Sequence, residues 1–253
     1  MKKLLFIHVV AVSYALAAML PAGWTCNGNC GISSADDGVV TVPAGAGQVL
    51  WVSTANGISG VGSIPEVAGD ATNGSVLTSP TFTALAGDTL RFLFNYVTSD
   101  GAGYADYAWA RLLPSGGDPF LLFTARTTPA GSTVPGFDMP PIGDGVTVNP
   151  FPVGIIGGGP EWSPLGGSTG SCYANGCGYT GWIEAVFTFP SSGAYVLQVG
   201  ATNWVDRYYD SGLALTGVFI GDTRIDNPIP EPVTVLSLTA GLLILAGRRL
   251  VTR

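Results

Sequence analysis

The feature that most constrains this fold is a series of short strand-like runs separated by turn residues. No amphipathic helix of comparable strength interrupts the series. The runs lie at 39–42, 48–53, 75–85, 89–98, 104–113, 120–125, 181–189, 194–202 and 212–220. Many short strands with turn signals between them favour an antiparallel all-β domain over a helical or alternating α/β domain.

The run at 89–98 shows how these strands would bury one face. Leu90, Phe92, Phe94 and Tyr96 occupy alternate positions, and a strand directs alternate side chains to the same side. Neighbouring turns carry Gly where a positive φ is needed, as at Gly87. About nine strands in roughly 200 residues predict an all-β fold, a single jelly-roll-like two-sheet sandwich.

The segment 127–170 breaks the strand pattern, because it is rich in Pro and Gly and poor in strand formers. It could be a linker between two domains. The strands after it continue the earlier pattern, so we expect a long ordered insertion within one domain, carrying a binding surface. The predicted organisation is a β-sandwich domain at 23–226, preceded by a first segment at 1–22 and followed by a last segment at 227–253.

The first segment has the layout of a secretory signal peptide. Lys2 and Lys3 precede an apolar run from 4 to 20 that ends among small residues. Cleavage after Ala17, Ala18 or Ala22 would be sterically acceptable. The alternative is an uncleaved membrane anchor.

The last segment contains three ordered parts. They are a proline–glutamate–proline triplet, an apolar stretch and an arginine pair: Pro230, Glu231, Pro232, 233–247, Arg248 and Arg249. At 1.5 Å per residue the apolar stretch covers about 22 Å, which is short of the ~30 Å hydrocarbon core. The arginines mark the cytoplasmic side of a marginal transmembrane helix.

These parts together resemble the PEP-CTERM sorting signal of exported bacterial proteins. The resemblance implies that an exosortase recognises and processes the tail, that the inner membrane holds the chain before processing, and that the protein accompanies exopolysaccharide. A permanent C-terminal anchor is the alternative. Short motifs in the middle, among them Asp106-Tyr107-Ala108 and Asp210-Ser211-Gly212, resemble ectodomains of this family, which are similar to carbohydrate-binding jelly rolls.

Composition excludes several functions. The chain has 37 Gly and 18 Pro, only 11% charged residues, and its lysines and its histidine all fall within the first eight residues. Between the termini there are sixteen acidic residues and only five basic ones, which are Arg91, Arg111, Arg126, Arg207 and Arg224. This acidic excess cannot form the basic surface of a nucleic-acid binder. Without His or Lys the domain lacks an imidazole or amine base, so an enzyme would have to use carboxyl groups.

Four cysteines form two closely spaced pairs, Cys26 with Cys30 and Cys172 with Cys177. Three pairings are possible, and in an exported chain we favour these two local disulfides, because intervening Asn and Gly allow tight turns. Each bridge would fix a loop, since a short loop removes little entropy from the unfolded chain. A four-thiolate zinc site is the alternative, although the spacings differ from the usual zinc knuckles.

Four aspartates lie near two strand ends that a jelly roll could bring together: Asp100, Asp106, Asp206 and Asp210. Clustered carboxylates suit calcium, and we predict a structural calcium ion held by Asp106 and Asp210, with no other cofactor required. The alternative is that they cap turns. The same residues are the candidates for a glycosidase pair with Glu161 or Glu184, because that chemistry needs two carboxyls about 5–10 Å apart.

Seven aromatic residues crowd the second half of the chain: Trp162, Tyr173, Tyr179, Trp182, Trp204, Tyr208 and Tyr209. Exposed rings beside Asn or Asp could form a platform for sugar rings. The alternative is that they anchor core and loops through their polar tips. Trp182 and Trp204 are expected in the core because they lie in or beside strands.

The sequence therefore predicts a non-enzymatic surface or extracellular-matrix protein that is sorted by exosortase and associates with extracellular polysaccharide. A carboxylate-based extracellular glycoside hydrolase is the competing class. A purely structural adhesive module is the third.

Overall fold

The computed structural model of the protein describes residues 19–67, 69–128 and 130–227. In that part of the chain, strands are joined by turns and by one short 3₁₀ segment at Ser163–Ser168. The strands are β1 (Thr25–Asn27), β2 (Asn29–Ser33), β3 (Val49–Ser53), β4 (Ile58–Ser59), β5 (Ala71–Thr78), β6 (Phe82–Ala84), β7 (Thr89–Thr98), β8 (Tyr107–Pro114), β9 (Phe120–Arg126), β10 (Val146–Asn149), β11 (Ile156–Gly157), β12 (Gly178–Tyr179), β13 (Ile183–Thr188), β14 (Gly193–Trp204), β15 (Ser211–Ile220) and β16 (Thr223–Arg224).

The strands form two antiparallel sheets, as the sequence predicts. One sheet has the order β1-β5-β14-β8-β9, with β4 and β6 paired beside it. The other has the order β10-β13-β7-β15-β3-β2, with β11, β12 and β16 attached. The inner faces pack against each other as a sandwich, and Phe94 of the second sheet stacks on Phe123 of the first at 4.2 Å between ring centroids.

The alternation predicted for β7 is confirmed. Leu90, Phe92, Phe94 and Tyr96 are all buried in the core between the sheets. The opposite face of β7 is also buried at its far end, because a second apolar cluster covers that part of the sheet. This cluster contains Val40, Val49, Val97, Trp162, Leu165 and Ala214.

The segment 127–170 supplies part of that cover. It contributes the edge strand β10, the short strand β11 and the 3₁₀ segment, whose Leu165 is fully buried. Trp162, which precedes the 3₁₀ segment, is 1% exposed. The described part of the insertion is therefore ordered. It covers the outer face of one sheet and does not link two separate domains.

Three strand predictions need correction. The run at 39–42 is not a strand, and only an isolated bridge joins Asp37 and Val40. There, Val39 donates from its backbone N–H to the Glu161 carbonyl, so the run pairs with the insertion instead of extending a sheet. The run at 75–85 is two strands, β5 and β6, separated around Pro80, which has no N–H for a ladder. The run at 104–113 starts only at Tyr107, because the preceding residues form turns.

The sequence analysis did not find β1, β2, β4, β10, β11, β12 or β16. These strands are short or contain Cys, Asn and Gly, so they carry little periodic signal. The predicted signal helix at 1–22 lies almost entirely, and the PEP-CTERM helix entirely, outside the described residues. Among the residues that are described, no helix is long and apolar enough to span a membrane.

Candidate functional site

Three loops meet at one end of the sandwich. They are loop 99–106 after β7, loop 169–177 between the 3₁₀ segment and β12, and loop 205–210 between β14 and β15; we call them the site loops. Backbone hydrogen bonds join them: Tyr173 N donates to Ser99 O at 3.0 Å, Ala102 N to Asn175 O at 2.9 Å, and Ser99 N to Asp210 O at 3.1 Å. Residues far apart in sequence therefore form one surface.

The disulfides are those predicted. Cys172 is bonded to Cys177 within the second site loop, and Cys26 is bonded to Cys30. No cysteine in the described part of the chain is free, so a four-thiolate zinc site does not form there. The second bridge closes the loop that carries Tyr173, and the first joins β1 of one sheet to β2 of the other. Two disulfides are typical of an exported protein.

An exposed group of tyrosines lies on the site loops. The rings of Tyr104 and Tyr173 are 5.7 Å apart in an edge-to-face arrangement, and those of Tyr173 and Tyr209 are 5.1 Å apart. Their exposed fractions are 41%, 48% and 37% for Tyr104, Tyr173 and Tyr209, and Tyr208 beside them is 73% exposed. We call Tyr104, Tyr173 and Tyr209 the tyrosine platform. Each residue comes from a different loop.

The third site loop is held in an unusual backbone conformation. Val205 has φ 68° and Tyr209 has φ 58°. Positive φ is uncommon in residues with a side chain and is a real outlier in a β-branched one. Each such residue costs on the order of 1–3 kcal/mol, and these conformations concentrate at functional sites. The strain at Tyr209 contributes directly to the platform, because it sets where that ring projects.

The first and second site loops approach each other closely at Gly101. A Cβ at this position would lie 2.6 Å from the Ala174 side chain and 2.8 Å from its backbone. Real Cβ atoms do not make contacts this short, so only Gly permits the approach. The contact sets the distance between the loops that carry Tyr104 and Tyr173.

Beneath the platform lies a buried acidic group. Asp106 is 1% exposed. Its Oδ1 accepts from the Trp204 backbone N–H at 2.9 Å, and its Oδ2 accepts from the Ser211 hydroxyl at 2.7 Å. Since Ser211 directly follows Asp210, the structure brings the two predicted strand ends together.

The other aspartates differ in how many hydrogen bonds their carboxylate oxygens accept. Asp210 accepts from the Thr54 hydroxyl and from the Ser168 hydroxyl, each at 3.0 Å. Asp206 is partly exposed and accepts from the Tyr208 backbone N–H at 2.8 Å. Asp100 is 2% exposed; its Oδ1 accepts from Gly101 N at 2.7 Å, while its buried Oδ2 has no hydrogen-bond partner.

Burial makes ionisation of this group unfavourable. Burial raises the pKa of Asp100 to about 7, and repulsion from Asp206 acts in the same direction. Burial also raises the pKa of Asp106 well above its usual value, with further repulsion from Asp100 and Asp210. A carboxyl group without enough donors in a low-dielectric site favours its neutral form. The charge of Arg126 acts on Asp100 and Asp106 without forming an ion pair with either, so a proton or a bound cation would stabilise these two carboxyl groups further.

Calcium at Asp106 and Asp210 stays a prediction. All four carboxylate oxygens of these residues accept hydrogen bonds, which is the arrangement that the turn-capping alternative requires. No group of three or more His, Cys, Asp or Glu within the described ranges is arranged to hold a metal ion. The Asp100 Oδ2 is the carboxylate oxygen in this group that a hard cation would satisfy best.

The glutamates considered for a glycosidase pair lie elsewhere. Glu161 borders a cavity of about 340 Å³ beside Asp37 and Trp162. Glu184 borders another of about 280 Å³ beside Arg91 and Phe219. None of the four clustered aspartates lines either cavity.

The remaining aromatic residues of the predicted set differ in how deeply they are buried. Trp162 is buried, whereas Tyr179 and Trp182 are partly buried against the second apolar cluster. Trp204 is also partly buried, with its ring 6.0 Å from that of Tyr107. Tyr104 was missed by the sequence analysis, because it was assigned to a strand; the Gly residues on either side of Ala102 mark the loop that carries it.

No protein-family model and no curated protein matches the chain. Among solved structures, it is similar to the K1 and K3 cleaved adhesin domains of Lys-gingipain from Porphyromonas gingivalis W83. The K1 match has a TM-score of 0.36 and 12% identity, covering 79% of this chain and 93% of that one. The K3 match has a TM-score of 0.35 and 13% identity, covering 78% and 94%.

A third similar structure is the enzymatically active domain of tailspike protein 4 from bacteriophage CBA120. Its TM-score is 0.33 at 11% identity, and the match covers 79% of this chain and 19% of that one. TM-scores this low carry no conclusion about function, so the proposals below depend on this chain's own residues.

Proposed function

We propose that the protein is a non-enzymatic, exported glycan-binding protein of the cell surface or extracellular matrix. The observation that carries this proposal is the tyrosine platform, in which three exposed rings from three loops are in contact. Sugar rings present apolar C–H faces that pack on aromatic rings, and the hydroxyl of Tyr adds a polar tip. Hydrogen bonds, a disulfide and a Gly contact pre-organise the loops, which lowers the entropy cost of binding.

The fold supports the same proposal. We propose that the sandwich belongs to the jelly-roll class, because the two sheets contain the four-strand orders β3-β15-β7-β13 and β5-β14-β8-β9, which pack face to face. In this arrangement the connections between strands collect at the two ends of the sandwich. Loops on a rigid scaffold are where binding residues concentrate.

Tyr173→Ala is expected to weaken binding of the best oligosaccharide from an immobilised glycan panel at least tenfold, about 1.4 kcal/mol. The central ring of the platform would be lost, while the fold, which does not depend on this exposed side chain, would stay intact. Isothermal titration of the exported protein measures the change. Phe151→Ala is the matched control, because Phe151 is 61% exposed and lies outside the site loops.

Three results would contradict this function. Unchanged affinity in Tyr173→Ala would remove the platform from binding. Release of new reducing ends from the bound oligosaccharide by the unaltered protein would favour the glycoside hydrolase alternative. Absence of binding to any glycan would leave the structural adhesive module.

We further propose that the tail is an exosortase sorting signal, on the strength of the Pro230, Glu231, Pro232 triplet and the arginines that follow its apolar stretch. Glu231→Ala is expected to leave export intact and to cause most of the protein to remain unprocessed in cells that carry exosortase. Immunoblotting of membrane and medium fractions would measure this. Glu161→Ala, an exposed change in the ectodomain, is the control; normal processing of Glu231→Ala would support a permanent anchor instead.

A further inference from the structure

A cavity beside the tyrosine platform contains a buried arginine. Arg126 ends β9 and is 6% exposed. It lines a cavity of about 270 Å³ together with Ala102, Gly103, Ala105, Thr127 and Phe137. Ala102 and Gly103 directly precede Tyr104 in the first site loop, so this cavity and the platform share a wall.

The guanidinium of Arg126 is held in place but not neutralised. Its Nε donates to the Ala105 carbonyl at 2.7 Å, and its Cζ lies 4.8 Å from the centre of the Trp204 ring. Neither Nη atom donates to another described residue, and the ion pair found within the described ranges is Arg224 with Asp226, not one involving Arg126. Neither Nη atom is among the buried side-chain atoms that lack a partner, so this edge of the guanidinium is accessible from the cavity and is free to pair with an anion there.

The surrounding charges do not supply that anion. Asp138, Asp106 and Asp100 act on Arg126 from a distance, since no carboxylate of the described residues comes within 4.0 Å of its nitrogens. Burial lowers the pKa of Arg126, but a guanidinium keeps its proton in proteins. The Nη edge of Arg126 therefore remains a positive fork of the kind that binds carboxylate or sulfate through two parallel hydrogen bonds.

The other lining residues suit a sugar ring. Phe137 is 64% exposed and borders the cavity, where it offers an apolar surface. The Thr127 hydroxyl donates to the Gly176 carbonyl at 2.5 Å, which ties the cavity wall to the disulfide loop that presents Tyr173. The volume lies at the small end of ligand pockets, enough for one ring or one substituent rather than a long segment.

We infer that Arg126 forms the floor of an anion subsite, and that the glycan bound on the tyrosine platform carries an acidic group, a uronate carboxylate or a sulfate ester, which pairs with this guanidinium. The inference rests on the proposed function and names its substrate class. It also explains how an acidic domain can select an acidic polymer. The negative charge of the domain repels such a ligand at long range, whereas the guanidinium of Arg126 binds its acidic group at short range. Arg126 was counted among the five arginines of the domain, but its sequence context in β9 carries no sign of this role.

The test compares ligands that share a backbone and differ in charge. Tetragalacturonate and its fully methyl-esterified form probe the carboxylate, and sulfated and unsulfated dextran oligosaccharides probe the sulfate ester. The unaltered protein is expected to bind at least one acidic member at least tenfold more tightly than its neutral counterpart. Arg126→Gln should abolish that preference and leave the neutral affinity within about twofold, whereas Tyr173→Ala should weaken both members of a pair.

Controls separate this subsite from general effects. Arg111→Gln is the matched control, because Arg111 also stacks on a tryptophan, at 4.9 Å from the Trp109 ring, and donates to Gln198 at 3.0 Å, but it lies outside the cavity. Arg126→Lys keeps the positive charge but loses the two parallel donors, so it should retain a reduced preference for the acidic oligosaccharide. This variant replaces Arg126→Gln in the test if Arg126→Gln does not fold. Equal affinity for acidic and neutral members in the unaltered protein, or an equal loss of both in Arg126→Gln, would overturn the inference while the platform proposal stood.

Discussion

Raising the pH from 5 to 8 in the presence of a chelator is expected to destabilise the folded protein. The folded-state pKa of Asp100 is raised to about 7, above the ordinary value of 3.8 that applies to the unfolded chain. Between these two values the folded state binds more protons than the unfolded state, so the free energy of unfolding falls as the pH rises. The loss is complete only above the folded-state pKa.

For Asp100 alone the linkage amounts to about 3 kcal/mol between pH 5 and 8. This corresponds to a decrease in melting temperature on the order of 6–12 °C for a domain of this size. Asp106 contributes with the same sign, because its folded-state pKa is also raised. Thermal unfolding followed by circular dichroism across this pH range would measure the slope.

Asp100→Asn should remove the Asp100 part of this slope, since the amide is neutral at every pH. Asp88→Asn is the control: Asp88 caps a turn by accepting from Leu85 N, far from the acidic group, so its replacement should shift stability without changing the slope. A melting temperature that does not change, or rises, from pH 5 to 8 would show that the buried carboxyls do not carry this penalty.

Calcium is expected to restore the stability that is lost at high pH. An ion that binds only the folded state stabilises it by mass action, about 2.7 kcal/mol at one hundred times the dissociation constant. Calcium binds carboxyl groups in their ionised form, so the rise in melting temperature should be large at pH 8 and small at pH 5. Proton and cation would then be alternative ways to neutralise the same carboxyls.

The calcium response should be reduced in Asp210→Asn and in Asp100→Asn, because a neutral amide keeps one oxygen but loses the charge that a hard cation favours. Asp88→Asn should respond like the unaltered protein. Identical melting curves in chelator and in millimolar calcium at pH 8 would rule out the calcium site and favour turn capping. That result would leave the sandwich, the platform and the sorting signal unaffected.

Local sequence pattern was sufficient to predict the sandwich and the disulfides. Alternation in β7 is a property of consecutive residues, and burial of Leu90, Phe92, Phe94 and Tyr96 follows from it. The pairing of Cys172 with Cys177 depends on a short span of chain and an exporting context. The strand prediction at 39–42 was wrong because the burial of these residues depends on distant parts of the chain. They pack against Trp162 and Leu165 of the insertion, and the local sequence does not distinguish such a segment from a strand.

An all-β domain without His or Lys chemistry, with an acidic excess and two local disulfides, is predictable from periodicity and residue content. Three properties of the site emerge from the packing of the chain: which rings form the platform, that Asp100 holds the unpaired carboxylate oxygen, and that Arg126 lines a cavity without a carboxylate partner. These properties depend on distances between loops that are far apart in the chain. Such distances are set by how the two sheets pack, and no spacing within the sequence encodes them directly.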